Sequence, residues 1–280
     1  MKLTNKHNLP GAIVRAVEGF EKSYQASRGE TKISVTQLIA PPLIRVLSKL
    51  HWDELEEDVS DRIWSILGSA THSILEHAVG ANDLSEERLF VEVDGVKVSG
   101  QGDLYEADGT LSDYKITSSW SVLHGVKPEW THQLNLLAYL YRKAGFETNK
   151  LQIVAILRDW SKGQALRSPT YPVCNIKVVP IEIWTDEQVE VYLKARVKLH
   201  VDAENVPIDN VPQCTPEERW ARPTKYATMK NGRKTAIKLY DTAEEAEADI
   251  RGTYVEVRLG EDIRCNGYCP ANKFCPYYKK

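Results

Sequence analysis

Two neighbouring segments in the first half of the chain carry an alternating pattern of apolar and polar residues. Segments 100–104 and 111–116 flank an Asp-Gly pair, which favours a tight hairpin turn. Successive side chains of a strand point to opposite faces, so Asp113 and Lys115 project together from the second strand. The pattern therefore predicts a β-hairpin that places Asp103 close to Asp113 and Lys115.

A helical pattern precedes this hairpin over residues 60–76. His72 and Glu76 lie four residues apart in it and therefore share one face, from which both side chains are expected to reach the hairpin. The apolar residues recur every three or four positions, which predicts a stripe that packs inward beside that face: Ile63, Leu67, Ala70 and Ile74.

The remaining pattern alternates strands and helices. A second Asp-Gly hairpin joins strands 90–93 and 96–101, and a helix over 128–145 leads into the apolar strand 151–157. A helix that crosses between strands typically extends a mixed sheet, so we expect an α/β fold with a mixed central sheet flanked by helices. The later elements are expected in the order strand 176–183, helix 185–203, basic hairpin 225–240 around Asn231-Gly232, helix 242–251 and strand 254–259.

Composition and charge narrow the class of protein. The 280 residues are 42% hydrophobic and 27% charged, which is typical of a globular protein, and the net charge is −3. The slightly negative net charge argues against a protein that coats nucleic acid through a large overall positive charge. Contact with DNA is expected at local basic patches such as 225–238, the alternative being that these are solvated surface. No apolar run of about eighteen residues and no leader is present, so we expect a cytoplasmic protein without a membrane segment.

The hairpin gathers two carboxylates and one ammonium group, from Asp103, Asp113 and Lys115. Two carboxylates held a few ångströms apart repel each other, so the site requires either a divalent cation or a shared proton. Oxygen ligands of this kind suit Mg²⁺ or Mn²⁺. His72, considered alone, would more commonly be a histidine packed in the core.

The chain has five cysteines, and Cys265, Cys269 and Cys275 form a C-x3-C-x5-C array. An odd number of cysteines without a leader argues against a disulfide framework. Clustered thiolates suit zinc or an iron–sulfur cluster, with Cys214 as the expected fourth ligand and Cys174 in reserve. Thiols that bind no metal are the remaining alternative.

The order of these motifs resembles that of the PD-(D/E)xK nucleases, in the RecB-type branch. That branch includes the iron–sulfur nucleases of the CRISPR-associated and helicase–nuclease families, and many phage-encoded exonucleases are similar to it. The residues that carry the resemblance are Gly68 to Glu76, Gly102-Asp103, Asp113-Tyr114-Lys115 and Gln133 to Leu136. The resemblance implies a restriction-endonuclease-like core with a small cysteine-rich appendage at the C-terminus.

The resemblance also implies metal-assisted hydrolysis of phosphodiester bonds. The ligands of the cation would be Asp103, Asp113, His72 and the backbone carbonyl of Tyr114. Lys115 would position or deprotonate the attacking water.

Two further residues have more open roles. Gln133 matches the fourth motif of the family, which contacts the substrate or the lysine, although Leu137 stands where many members have tyrosine. Glu76 would orient Lys115 or His72, contact the metal, or lie in solvent.

In the iron–sulfur members of the family, a cysteine before the nuclease core usually joins three that follow it. No cysteine precedes His72 in this chain. Cys214 would therefore complete a [4Fe-4S] cluster with Cys265, Cys269 and Cys275, and Zn²⁺ is the alternative metal.

The residues and the resemblance together predict a Mg²⁺- or Mn²⁺-dependent DNA exonuclease that serves phage recombination or the processing of DNA ends. Its expected partners are ends of single- or double-stranded DNA and a single-strand annealing or recombination protein. The alternatives are an inactive DNA-binding module and an iron–sulfur structural subunit of a recombination or repair complex. The expected organisation is a peripheral arm over 1–30, the nuclease core over 31–204 and a region with the basic hairpin and the cysteines over 205–280.

Overall fold

The computed structural model describes residues 1–26 and 31–278 of the chain. Residues 27–30 of the expected peripheral arm lie outside the described residues. Within these ranges, no helix combines the length and the apolar character that crossing a bilayer requires. The α-helices are α1 (Gly11–Ala26), α2 (Val35–Ile39), α3 (Pro42–Leu50), α4 (Ile63–Glu76), α5 (Pro128–Lys143), α6 (Lys162–Ala165), α7 (Asp186–Glu204), α8 (Ala243–Glu247) and α9 (Ile263–Gly267).

The strands are short at both ends of the chain and longest in its middle. They are β1 (Lys2–Thr4), β2 (Ile33–Ser34), β3 (Glu56–Asp58), β4 (Leu84–Val93), β5 (Val96–Tyr105), β6 (Thr110–Thr117), β7 (Lys150–Leu157), β8 (Ile176–Ile181), β9 (Ala221–Arg222), β10 (Lys225–Met229), β11 (Lys238–Tyr240), β12 (Tyr254–Arg258) and β13 (Glu261–Asp262).

The chain divides into two compact units. The first contains residues 1–40 and 56–205, and the second contains residues 41–55 and 206–280. Helix α3 therefore belongs to the second unit, which its position in the sequence does not indicate. The expected boundaries after residues 30 and 204 remain predictions.

Among the described residues, six strands form the mixed sheet of the first unit. Strand β5 pairs antiparallel with β4 and with β6, and parallel with β2. Helix α5 connects β6 to β7, which run parallel from Thr110 opposite Lys150 to Thr117 opposite Leu157, and β8 then pairs antiparallel with β7. The predicted fold class is confirmed: a mixed central sheet is flanked by helices, and a cysteine-rich region lies near the C-terminus.

The two predicted hairpins in this sheet have the turns that their Asp-Gly pairs favour. Asp94 and Gly95, between β4 and β5, have φ angles of 49° and 76°, as a turn with two left-handed residues requires. Gly109, between β5 and β6, has a φ angle of 84°. The backbone amide of Thr110 donates to the carboxylate of Asp108, which completes this second turn.

One hydrophobic core holds the sheet and α5 together. Alternate residues of β7 are buried in it, namely Leu151, Ile153, Ala155 and Leu157. Helix α5 contributes a continuous buried segment from Leu134 to Tyr141. Burial of each large aliphatic side chain stabilises the fold by about 1.5–3 kcal/mol, so β6, which lies between β5 and β7, is held firmly.

The orientation of α4 differs from the sequence prediction. Leu67 and Ile74, expected to pack inward with Ile63 and Ala70, are 43% and 71% exposed. The face of α4 that points into the first unit instead carries small or polar residues at helical spacing: Ser65, Gly68, Ser69, His72, Ser73 and Glu76. The prediction of an inward apolar stripe on α4 was wrong. Helix α4 lies against a polar cleft, where hydroxyl and imidazole groups are better accommodated than aliphatic groups.

The second unit contains the predicted basic hairpin. Strands β10 and β11 pair antiparallel, with Tyr226 opposite Tyr240, and β12 adds to the other edge of β10. Gly232, in the connection between β10 and β11, has a φ angle of 82°. Strands β9 and β13 form a separate pair that leads into α9 and the C-terminal cysteines.

Candidate functional site

Asp103 is fixed at the point where the pairing between β5 and β6 ends. The ladder between these strands comprises Leu104 opposite Ser112 and Tyr105 opposite Leu111. Beyond this ladder, the backbone amide of Tyr114, two residues after Ser112, donates to Oδ2 of Asp103 at 2.7 Å. A side-chain carboxylate thus takes the place of a ladder carbonyl, and this hydrogen bond determines the direction of Asp103.

Asp113 and Lys115 form an ion pair on the same face of β6, as strand alternation predicts. The Lys115 ammonium lies 2.7 Å from Oδ2 and 3.0 Å from Oδ1 of Asp113. Gln133 of α5 donates from Nε2 to the same Oδ1 at 2.9 Å. Asp113 is only 1% exposed, so these two donors supply the stabilisation that a buried carboxylate requires.

His72 of α4 lies between two carboxylates. Its Nδ1 is 3.0 Å from Oε1 of Glu86 and 3.5 Å from Oδ1 of Asp103. The ligand atoms of His72, Glu86 and Asp103 all lie within 4.8 Å of one another, so this set could hold a metal ion.

The crowding of charge shifts the pKa values of Asp103 and His72. Burial, together with the nearby charge of Asp113, raises the pKa of Asp103 to about 7. The hydrogen bond with Glu86 raises the pKa of His72, with a further contribution from the charge of Asp103. Without a cation, the site therefore retains protons near neutral pH, in the space that a divalent ion would otherwise occupy.

Glu86 is the site residue that the sequence analysis missed. The expected strand began at residue 90, whereas β4 begins at Leu84. Glu86 has a φ angle of 53°, and the β4–β5 ladder is interrupted where it would face Asp103. Such a backbone conformation is costly for a residue other than glycine and is typical of functional sites.

Two neighbouring side chains hold Glu86 in place. Gln101 donates from Nε2 to Oε2 of Glu86 at 2.6 Å. Arg88 donates to Oε1 of Gln101 at 2.5 Å and to the hydroxyl of Ser99 at 3.2 Å. Since alternate residues of β4 and β5 share a face, the pairs Glu86 and Arg88, and Gln101 and Ser99, could have been recognised from the sequence if β4 had been extended to residue 84.

These residues line one cleft in the first unit, with a volume of about 1000 Å³. Of the predicted site residues, the cleft contains His72, Glu76, Asp103, Asp113, Lys115 and Gln133. Glu76 lies one turn of α4 beyond His72 with an exposed side chain, and the carboxylate that reaches His72 is Glu86. The amide of Tyr114 contacts Asp103, while the role of its carbonyl as a ligand remains a prediction.

Four of the five cysteines surround a second, smaller cavity within the second unit. Cys214, Cys265, Cys269 and Cys275 line it together with Leu43, Ile44 and Leu47. Cys174 lies in the first unit, with an exposed thiol that donates to the carbonyl of Ile176. The structure therefore brings together the cysteines that were assigned to one metal centre and leaves the reserve candidate elsewhere.

Burial disfavours ionisation of three of the thiols that line this cavity. Burial raises the pKa of Cys214 to about 12, and Glu218 and the other thiols of the cavity contribute to the shift. Burial also raises the pKa values of Cys265 and Cys269. Within the described residues, no three of these thiols lie within 4.8 Å of one another.

Comparisons with known proteins show the fold. No family model matches the sequence, and no curated protein matches it. The crystal structure of SSO0001 is similar with a TM-score of 0.56 and 16% identity, over 96% of this chain and 98% of that one. This likeness shows a shared fold.

The similar solved structures also include an alkaline exonuclease, LHK-Exo from Laribacter hongkongensis. It matches with a TM-score of 0.43 and 11% identity over 67% of this chain and 94% of its own. Its complex with dAMP matches with a TM-score of 0.37 and 10% identity over 62% and 90%. The RecB-type branch remains a prediction.

Replacement of Asp103 by Asn should stabilise the protein in EDTA at pH 8. The pKa of Asp103 in the folded state, about 7, lies above the ordinary aspartate value of 3.8, so the free energy of unfolding falls as pH rises between these values and stays low above them. Asp103→Asn should recover on the order of 2 kcal/mol, because one pKa unit corresponds to about 1.4 kcal/mol and neighbouring charges share the effect.

Thermal unfolding from pH 5 to pH 8 measures this gain, which should grow with pH. Mn²⁺ should then raise the melting temperature of the wild type but not that of Asp103→Asn. Asp61→Asn, a change of an exposed aspartate, is the control and should match the wild type. A lower melting temperature of Asp103→Asn at pH 8 would contradict the crowding of carboxylates.

Replacement of Glu86 by Gln should weaken the binding of Mn²⁺ by at least tenfold, because a neutral amide replaces an anionic oxygen ligand. Titration calorimetry with MnCl₂ measures the dissociation constant. Glu87→Gln, a change of the exposed neighbour on the opposite face of β4, is the matched control and should leave affinity unchanged. Equal affinities of the two variants would exclude Glu86 from the ligands.

Proposed function

We propose that this protein is a divalent-metal-dependent nuclease that hydrolyses phosphodiester bonds of DNA. One observation carries the proposal: His72, Glu86 and Asp103 converge within 4.8 Å of one another, in the same cleft as the Asp113–Lys115 ion pair. A cation site beside an ammonium group is the arrangement that hydrolysis of a phosphodiester requires.

The donor set fits Mg²⁺ or Mn²⁺. Carboxylate oxygens suit both ions, and one imidazole is compatible with Mn²⁺ in particular. Asp103, Glu86 and His72 would hold the ion, with Asp113 and the carbonyl of Tyr114 as further ligands. When bound, the ion would orient a water molecule and offset the charge that develops on the phosphate.

The remaining residues position the ammonium group and the carboxylates. Asp113 holds Lys115 through the ion pair, and Gln133 holds Asp113 through its amide. Lys115 would place its positive charge against the phosphate oxygens and orient the water. Gln101 and Arg88 keep Glu86 directed at His72. Glu76, at the edge of the cleft, would contact substrate or solvent.

The finer assignments rest on the motif resemblance. The protein would be an exonuclease that begins at DNA ends, and it would belong to the RecB-type branch. It would serve phage recombination or end processing, with an annealing or recombination protein as its partner. The fold shared with SSO0001 is compatible with them.

The second unit would hold a [4Fe-4S] cluster through Cys214, Cys265, Cys269 and Cys275. Four partly buried thiols around one cavity are a suitable donor set, because a bound metal replaces the thiol protons. Zn²⁺ is the alternative metal, and the resemblance to the iron–sulfur nucleases is what favours the cluster over it.

Cleavage of DNA tests the nuclease. Linear and circular DNA, single- and double-stranded, are incubated with Mn²⁺ or EDTA, and the products are separated on gels. We expect Mn²⁺-dependent degradation of linear DNA and a loss of about 100-fold or more in Lys115→Ala, because an essential positive charge is removed. Lys150→Ala, at the exposed start of β7, should retain activity. Absence of cleavage by the wild type with every DNA and metal would exclude the nuclease and favour an inactive binding module.

Metal analysis tests the cysteine centre. The anaerobically purified protein should be brown, absorb visible light and contain about four iron atoms per chain. Cys214→Ser should lose that absorbance and unfold at lower temperature, whereas Cys174→Ser should keep both properties. Stoichiometric zinc without iron would exclude the cluster, and full iron content in Cys214→Ser would exclude that residue as a ligand.

A further inference from the structure

Two tryptophans stand exposed on the first unit, at the edge of the sheet where β6 and β7 end. Trp64 of α4 is 51% exposed, and Trp120, three residues after the end of β6, is 67% exposed. Large aromatic side chains usually gain free energy from burial, so two exposed indoles at one edge of a sheet indicate a surface that binds something.

Each indole lies against the planar group of a second side chain. The guanidinium carbon of Arg158 lies 4.2 Å from the ring centroid of Trp64. The ring of His124 lies 3.7 Å from that of Trp120, and its Nδ1 contacts the carbonyl of Trp120. We call these four residues the aromatic surface. The pairing fixes both indole rings, which lowers the entropy lost when a ligand stacks on them.

Hydrogen bonds join the two halves of the aromatic surface. The backbone amide of Arg158 donates to the carbonyl of Thr117 at 2.9 Å. The amide and the hydroxyl of Ser119 both donate to the carboxylate of Asp159, at 2.6 and 3.0 Å. The segment that carries Trp120 is thus fixed against the segment that carries Arg158, which in turn contacts Trp64.

Two elements that line the cleft, α4 and β6, also lead to the aromatic surface. Asp113, Lys115 and Thr117 lie on one face of β6 because they alternate along the strand, so this face leads from the ion pair towards Trp120. On α4, Ser65 lines the cleft, and Trp64 is its neighbour in the chain. A DNA strand that places one phosphate at Lys115 would therefore meet the aromatic surface within its next few nucleotides.

We propose that the aromatic surface stacks with unpaired bases of a single DNA strand whose backbone enters the cleft. The proposal rests on the nuclease function and specifies its substrate as single-stranded DNA, or an unpaired end of a duplex. Aromatic rings and guanidinium planes stack on any base, whereas the bases of an intact duplex already stack on one another. With a net charge of −3, the protein depends on local cations such as Arg158 to attract the strand.

The test measures binding of a fluorescein-labelled twelve-residue oligothymidylate by fluorescence anisotropy. All variants also carry Lys115→Ala and are measured in Mn²⁺, so that the strand stays intact. Trp64→Leu and Trp120→Leu should each weaken binding about tenfold, because leucine keeps apolar area but does not stack. Trp120→Phe should bind within about twofold of the parent. Trp52→Leu, which changes an exposed tryptophan of the second unit, should have no effect.

Two further probes separate stacking from other causes of weak binding. A DNA strand of abasic nucleotides should bind the parent protein more weakly than oligothymidylate does. The leucine substitutions should not weaken the binding of this abasic strand any further. A blunt duplex of the same length should bind all variants equally. Melting temperatures equal to that of the parent establish that the variants fold.

Three results would overturn the proposal. The first is unchanged oligothymidylate binding in both leucine variants, and the second is an equal loss on the abasic strand. The third is self-association of the chain that Trp64→Leu abolishes while DNA binding is unchanged, since the surface would then be a contact between copies. If the wild type degrades DNA in any of these cases, only the stacking proposal fails. If it neither binds nor degrades any DNA, the nuclease function fails with it.

Discussion

The repulsion between buried carboxylates is the constraint on which the first unit depends. Asp103, Asp113 and Glu86 lie together around one imidazole and one ammonium group, and Asp113 is almost completely buried. The surrounding structure supplies a donor to each carboxylate: a backbone amide to Asp103, a glutamine and a lysine to Asp113, and a second glutamine to Glu86. The protons that remain near neutral pH are those that a divalent cation would displace.

The architecture of the sheet makes this arrangement possible. Strands β5 and β6 pair over only a short ladder, and beyond it the two strands leave space that side chains fill. The unpaired amide of Tyr114 is then available to Asp103, and the left-handed conformation of Glu86 interrupts the neighbouring ladder opposite the same residue. Both departures from regular pairing occur next to Asp103, as is typical when a fold bears local strain in order to position reactive groups.

The cysteine centre follows the same physical principle with different chemistry. Four partly buried thiols line one cavity, where burial and the charges of the neighbouring groups raise the pKa of Cys214. Such a site is unfavourable for thiolates alone and favourable for thiolates bound to a metal, so metal binding would contribute to the stability of the second unit. Each unit thus contains a group of like ligands that a cation would stabilise.

Local patterns in the sequence determined much of this protein. Strand alternation put Asp113 and Lys115 on one face, the Asp-Gly pairs set both hairpins, and helical spacing placed His72 within reach of them, because each rule depends on neighbouring residues alone. The tertiary structure decided the rest. The convergence of Glu86 on His72, the choice of Cys214 over Cys174 beside the C-terminal cysteines and the outward apolar face of α4 depend on which surfaces meet. Periodicity shows that a helix has two faces, but only the polarity of the surface it packs against determines which face turns inward.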